Sequence, residues 1–201
     1  MSTVPTAESY TIHLIRHPQT DWNAARRYQG LSNRPWSPAG ASRAQQIVKK
    51  FQLAPFDHII SSPRHHARRL AEQLSEQVHQ DTRWSEIDHG KWEGLTYQEV
   101  NHRFPDTVNQ RFAAPLHCKS HGGQSLHELQ QQVSEAWQQL IQSPSHQNIA
   151  ILTHATPIQL ILCHITGLPI ERYWQFRIDC GSITSLDITA AGCIINFCNQ
   201  T

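Results

Sequence analysis

The chain has 201 residues, 38% of them apolar, and a formal net charge of +1 with its fourteen histidines neutral. That length suits a single domain over residues 1–201 with one sizeable core, and the charge balance argues against nucleic acid or a membrane surface drawn in by a broad field. No apolar stretch reaches transmembrane length, the polar segment Met1 to Tyr10 lacks the regions of a secretion signal, and five cysteines without a Cys-x-x-Cys pair fit reduced, mostly buried thiols in a cytoplasmic protein better than disulfides or zinc.

Tyr10 to Ile15 is predicted as a strand, with Ile12, Leu14 and Ile15 apolar and His13 tolerated beside them. Ser37 caps a helix opened by Pro38, whose apolar positions Ala44, Ile47, Val48 and Phe51 keep the helical period; Pro55 ends it. His58 to Ser62 is a short strand, and Pro63 to Val78 a second helix striped by Ala67, Leu70, Ala71 and Leu74. Trp84 to Leu95 is loop-like. Thr96 to Glu99 has capping-box spacing and starts a short helix. The stretch from Pro105 to Gln124 looks irregular. A further capping box, Ser125 to Glu128, opens a long helix through Leu129, Val133, Trp137 and Leu140. Asn148 to Thr153 is nearly all apolar, as in a central strand covered on both faces. Pro157 to Ile165 is apolar almost all round and is expected buried against the sheet. Ser182 to Ile188 and Cys193 to Phe197 alternate about a turn at Gly192 and are expected to close the sheet antiparallel. The alternation predicts an α/β fold, a three-layer α/β/α sandwich on a mainly parallel central sheet.

Three predicted strand ends carry polar chemistry: Arg16-His17; Ser61-Ser62 followed by Arg64, His65, His66, Arg68 and Arg69; and Thr153-His154. Strand ends are where open α/β sheets build sites. If the three strands are neighbours, one pocket collects two imidazoles and several guanidinium groups. A phosphoryl group needs such a pocket: cationic donors for its oxygens, an in-line nucleophile and an acid for the leaving alkoxide. No glycine-rich phosphate loop is present.

With these residues in place, the chain resembles the histidine phosphatase superfamily, with its phosphoglycerate mutase-like fold. Leu14 to Asn23 is similar to the signature L-x-R-H-G-x-T-x-x-N. Tyr28-Gln29-Gly30, Trp36 to Gly40 and Ser61-Ser62-Pro63 resemble the elements that follow. Glu86 to Gly94 resembles the phosphatase-branch pattern E-x-x-x-G-x-W-E-G, Gly122 to Ser125 resembles G-G-E-S, and Leu152 to Ala155 resembles the second-histidine motif. The series spans nearly the whole chain in order. The phosphatase branch includes α-ribazole phosphatases and broad-specificity enzymes. The resemblance implies a metal-independent phosphomonoester hydrolase without a cofactor, acting on a small phosphorylated metabolite. It makes His17 the phosphorylated nucleophile, Arg16 and His154 the holders of the phosphoryl oxygens, and Glu86 the proton donor, with Asp88 and Glu93 as alternatives in a shifted loop. Thr20, Asn23, Gln29 and Ala155 line the substrate side. A homodimer is a family-level expectation. A mutase-type phosphotransferase is the sister activity, and a non-catalytic phospholigand-binding protein with this fold is the rival from another class.

Three departures from the pattern stand out. Pro18 replaces a glycine and removes an amide donor beside the nucleophile. Ala155 replaces a second glycine and asks the backbone to accept a Cβ. Ungapped alignment puts His66 where the family carries a phosphate-binding arginine, with Arg64 as the runner-up for that role. A protonated His66 predicts activity that falls as pH rises. Bland roles are expected elsewhere. Trp84 and Trp92 are packing residues, Glu93-Gly94 shapes its loop, and Arg68 and Arg69 form an exposed basic face. His65, His89, His117, His121 and His127 are solvated. Cys180 belongs to the core sooner than to a pocket rim. Arg26, Arg27 and Arg34 are candidates to meet a polyanionic substrate.

Overall fold

Period-two alternation along strands covered on both faces builds the centre of the molecule. In the computed structural model, which describes residues 9–142 and 147–201, Ile149 and Ile151 pack on one face of the sheet with Ile12 and Leu14, while Ala150 and Leu152 pack on the other with Ile15 and Ile59. The start of the polar leader, residues 1–8, lies outside the described residues. The strands are β1 (Tyr10–Arg16), β2 (His58–Ser61), β3 (His79–Gln80), β4 (Asn148–Thr153), β5 (Ile183–Thr189) and β6 (Gly192–Gln200), in the spatial order β3-β2-β4-β1-β5-β6. The pairs β3-β2, β2-β4 and β4-β1 are parallel; β1-β5 and β5-β6 are antiparallel. This is the three-layer α/β sandwich expected, with its closing antiparallel pair.

The helices are α1 (Asp21–Ala24), α2 (Pro38–Phe51), α3 (His65–Leu74), α4 (Tyr97–Arg103), α5 (Pro105–Ala113), α6 (Leu126–Gln142) and α7 (Ala155–Thr166). The cap signals work as read. Ser37 Oγ accepts the Gly40 N–H at 3.0 Å, and Thr96 with Glu99 forms a reciprocal capping box. Helices α6 and α7 bury Leu126, Leu129, Val133, Ile158 and Leu162 on one face of the sheet; α2 and α3 bury Ala44, Ile47, Phe51 and Leu70 on the other. A smaller cluster of Trp92, Val100 and Val108, flanked by Tyr28, Leu95 and Phe104, stands apart from both.

Four expectations are corrected. The segment taken as irregular contains α5, which starts on Pro105 at its first turn and buries only Thr107 and Val108. The helix read from Pro63 to Val78 runs only from His65 to Leu74, because Ser75 returns to extended backbone (φ −157°) and a two-residue strand follows. The Trp84–Leu95 loop holds a 3₁₀ turn at Gly90–Trp92. The thiols are all free, but only Cys118 and Cys163 are buried.

Register places the site. Arg16 pairs with Thr153 and Ser61 with Leu152, so the C-terminal ends of β1, β2 and β4 finish at one level. The His17 N–H donates to the Thr153 carbonyl at 3.0 Å and the Ser62 N–H to the Leu152 carbonyl at 2.9 Å, which extends the ladder one residue beyond the strands. His17, Ser62 and His154 leave the sheet side by side.

Candidate active site

His17 is fixed from both sides. Besides its own amide bond to Thr153, its carbonyl accepts the Gly181 N–H at 3.0 Å. Its ring is buried, with Nδ1 2.8 Å from the Pro18 carbonyl oxygen. A carbonyl has no proton to give, so Nδ1 carries the hydrogen and Nε2 keeps a lone pair. Burial holds the pKa well below the usual histidine value, helped by His66, His154 and Arg16. The ring is therefore neutral, the form a nucleophile requires. Pro18 forfeits an amide but keeps the carbonyl that sets this tautomer.

Two more buried imidazoles surround the first. The ring centroid of His66 lies 4.3 Å from that of His17, His154 lies 5.1 Å from His17, and His66 and His154 are 5.2 Å apart. His154 is the N-cap of α7 and its Nε2 lies 2.9 Å from Ser62 Oγ. Burial, with His66, Arg16 and Arg64 nearby, lowers its pKa well below the ordinary value. His66, which ungapped alignment puts at the family's arginine, lies at the heart of the cluster. The expectation that His66 is protonated is corrected: burial first, then His65, Arg64 and Arg16, lower its pKa to about 3. A neutral imidazole still offers one N–H to a phosphoryl oxygen. Gln29 Nε2 stands 3.3 Å from His66 Nδ1 and 3.4 Å from its Nε2, and Gln29 Oε1 accepts the Thr20 hydroxyl at 2.5 Å. Thr20 is buried and caps α1 in a reciprocal box with Asn23.

The Arg16 guanidinium donates to the Ile178 carbonyl at 2.6 Å. It lines a cavity of about 590 Å³ with Asn23, Arg26, Arg43, Asp179 and Cys180. Cys180 Sγ is 3.6 Å from Asn23 Oδ1, so Cys180 stands on the pocket rim, not in the core as expected. Arg26 is exposed there in a left-handed conformation (φ 54°), whereas Arg27 is spent on the Gly94 carbonyl and Glu99, and Arg34 on Asp21.

Glu86 is buried beside α7. Its Oε1 accepts the Ile87 N–H at 2.9 Å and its Oε2 the Thr156 N–H at 3.2 Å. Burial raises its pKa, opposed by hydrogen bonds from Thr156 and Ile87 and by the Arg16 charge. The two alternative acids have other work: Glu93 Oε1 accepts the amides of Gly30 (2.5 Å) and Leu31 (3.2 Å), and Asp88 accepts the Gly90 N–H at 2.8 Å. Glu93 shapes the loop, as its motif suggested. Arg64 donates to the Leu31 carbonyl at 2.9 Å and shares with Glu86 a polar cavity of about 690 Å³, also lined by Ser85, Lys119 and Gln124. Of the two candidates for the missing arginine, His66 touches the His17 ring and Arg64 stands at the mouth. Ala155 is the first residue of α7, and among the described residues only Arg26 and Asn199 combine a side chain with positive φ. The backbone there has no need of glycine.

Sequence reasoning gave Ser62 no role, though its hydroxyl orients His154; a hydroxyl at a strand end beside two chemically loaded ends was the available signal. His89 is half-buried against Tyr28 (5.0 Å between centroids), not solvated, and burial lowers its pKa to about 3. Trp84 and Trp92 are packing residues. Among the described residues, His17, His66 and His154 are the one group of three whose ligand atoms come close enough for a metal ion, all within 4.8 Å of one another.

Comparison with known proteins gives a consistent picture. Phosphoserine phosphatase 1 of Hydrogenobacter thermophilus is 28% identical over 170 residues, which cover 83% of this chain and 81% of that protein. The crystal structure of the α-ribazole phosphatase from Shigella flexneri superposes with a TM-score of 0.87 at 24% identity, covering 94% of this chain and 96% of the other. A phosphoserine phosphatase from Entamoeba histolytica, solved with 3-phosphoglyceric acid, gives a TM-score of 0.80 at 24% identity over 96% and 98% of the two chains. The sequence profile of the histidine phosphatase superfamily (branch 1) matches residues 12–201, and the chain belongs to that family.

Proposed function

We propose that this chain hydrolyses phosphomonoesters through a phosphohistidine on His17. The observation that carries the reading is a neutral, tautomer-locked His17 set among two further imidazoles and Arg16, with a buried carboxylic acid, Glu86, held on the adjoining helix end. In the first step the Nε2 lone pair attacks phosphorus and the ester P–O bond breaks in line. Glu86 gives its proton to the departing alkoxide. Arg16, His154 and His66 present N–H donors to the phosphoryl oxygens. In the second step the Glu86 carboxylate takes a proton from water, whose oxygen attacks phosphorus as the P–N bond breaks. His17 and the acid are thereby restored.

In this reading Arg16 supplies the positive charge and the neutral imidazoles supply N–H donors, so no metal or cofactor takes part. The chain acts as one cytoplasmic domain on a small phosphorylated metabolite. The names of its relatives make phosphoserine and α-ribazole phosphate the first compounds to offer. The test is a panel of phosphomonoesters over a range of pH with EDTA present, beside a His17→Ala variant. Turnover that persists in EDTA and disappears in the variant supports the reading. No turnover on any compound, or equal turnover in the variant, leaves a phospholigand-binding protein. An acid-labile, base-stable phosphate trapped on His17 identifies the intermediate.

A further inference from the structure

We infer that His17, His66 and His154 form a zinc site, and that zinc binding there shuts off the phosphatase. The inference follows from the residue that replaces the family's arginine. An arginine cannot ligate a metal, whereas His66 adds a third buried imidazole to two that are already in place. All three rings are buried and their ligand atoms lie within 4.8 Å of one another. An equilateral triangle of that side has its centre roughly 2.8 Å from each corner. Zn–N bonds of about 2.0–2.1 Å thus ask each nitrogen to move by less than about 1 Å. Small tilts of the rings deliver that.

The outer contacts suit the site. Metal-bound imidazoles use their second nitrogen in a hydrogen bond to an oxygen, which fixes the ring. His17 Nδ1 has the Pro18 carbonyl at 2.8 Å, and His154 Nε2 has Ser62 Oγ at 2.9 Å. His66 is the less firmly held member. Gln29 Nε2 is nearly equidistant from its two nitrogens, at 3.3 and 3.4 Å, both long for a hydrogen bond. These long contacts leave His66 the least firmly held of three buried imidazoles, so its ring can turn a nitrogen toward the other two. Three histidines leave a fourth position for water. The nearest guanidinium groups each spend an N–H on a carbonyl, Arg16 on that of Ile178 and Arg64 on that of Leu31.

The consequence for activity rests on the reading of His17 as nucleophile. Its Nε2 lone pair, once given to zinc, cannot attack phosphorus, so bound zinc and turnover exclude each other. The experiment uses the whole chain in phosphate-free buffer and reads the metal directly as well as through activity. Cobalt(II) titrated into the wild-type protein is expected to give the visible absorption of a tetrahedral site, displaced by zinc. Zinc is expected to raise the melting temperature at one ion per chain, and to abolish turnover reversibly with EDTA. In His66→Arg and His66→Gln the zinc concentration needed for each effect rises at least tenfold. Absence of the cobalt absorption in the wild type overturns the site, whatever the variants do. So does unchanged zinc affinity in a folded His66 variant, which assigns the metal to other histidines. A protein that binds zinc at this site but shows no turnover without it keeps the metal site and loses the phosphatase reading.

Discussion

In the proposed reaction Glu86 meets opposite demands in the two half-reactions, holding a proton in the first and none in the second. Burial raises its pKa and the Thr156 and Ile87 amides limit the rise, so the acid form persists to higher pH than in an ordinary glutamate. The rate on poor leaving groups should fall as pH rises through this raised value, because the acid form is present only below it. A Glu86→Gln variant should lose roughly 10²–10⁴ in kcat on alkyl phosphates and lose that alkaline limb, while an aryl phosphate with an acidic phenol should suffer far less. The three imidazoles make the complementary prediction. All have pKa values pushed below 6.5, His66 to about 3, so kcat/KM, which reports the free enzyme, should show no histidine ionisation between pH 5 and 7. A measured inflection near 6.5 that disappears in His66→Gln would contradict the buried, neutral state. Arg16, His17, Glu86 and His154 were legible as candidates in the sequence because their motifs are local. The charge on His66 was not, since it depends on being sealed behind Gln29 and the other two rings.

The signature loop between β1 and α1 is held in place by a close approach of α2. A Cβ added at Gly40 would meet the Gln19 carbonyl oxygen at 2.0 Å, so backbone must shift to admit it. Gly40→Ala should cost about 1–3 kcal/mol of stability. It should also lower kcat/KM, because Gln19 adjoins Pro18 and Thr20; a denaturant melt beside a kinetic run measures both. Cap chemistry made α2, α4 and α6 readable, with a serine or threonine N-cap in each. Helix α5 was illegible for a physical reason. It buries one aliphatic side chain, Val108, and leaves Phe112 72% exposed, so no apolar stripe announces it. The two residues of β3 are both exposed and carry no alternation at all. Helix α3 was overextended because its stripe continues past Leu74, while Ser75 spends its hydroxyl on Gln77 and releases the chain.

At the scale of the molecule, burial of several neutral histidines links stability to pH. His13, His17, His66, His89 and His154 all have lowered pKa values, with burial the leading cause. A group depressed in the folded state contributes stability that is complete above its unfolded pKa, near 6.5, and is lost as pH falls toward the folded value. Each such ring removes about 1.4 kcal/mol per pH unit in that window. The denaturant midpoint should therefore drop steeply from pH 6.5 toward 4, and His66→Gln should flatten the slope by close to one proton. The layered fold was legible because its strands and helices alternate cleanly. The adjacency of β2, β4 and β1, which unites the site, is a matter of pairing that single-strand patterns do not encode. One anchoring contact has a bearing on selectivity. Glu86 is bonded to the Thr156 amide, two residues after His154, on a helix buried against the sheet. Acid and second imidazole thus behave as marks on a rigid ruler, whose spacing stays constant when the polar loops around the mouth adapt to a guest. Different alcohols should then be sorted by how well they dock, in KM, while kcat follows the intrinsic acidity of the alcohol released.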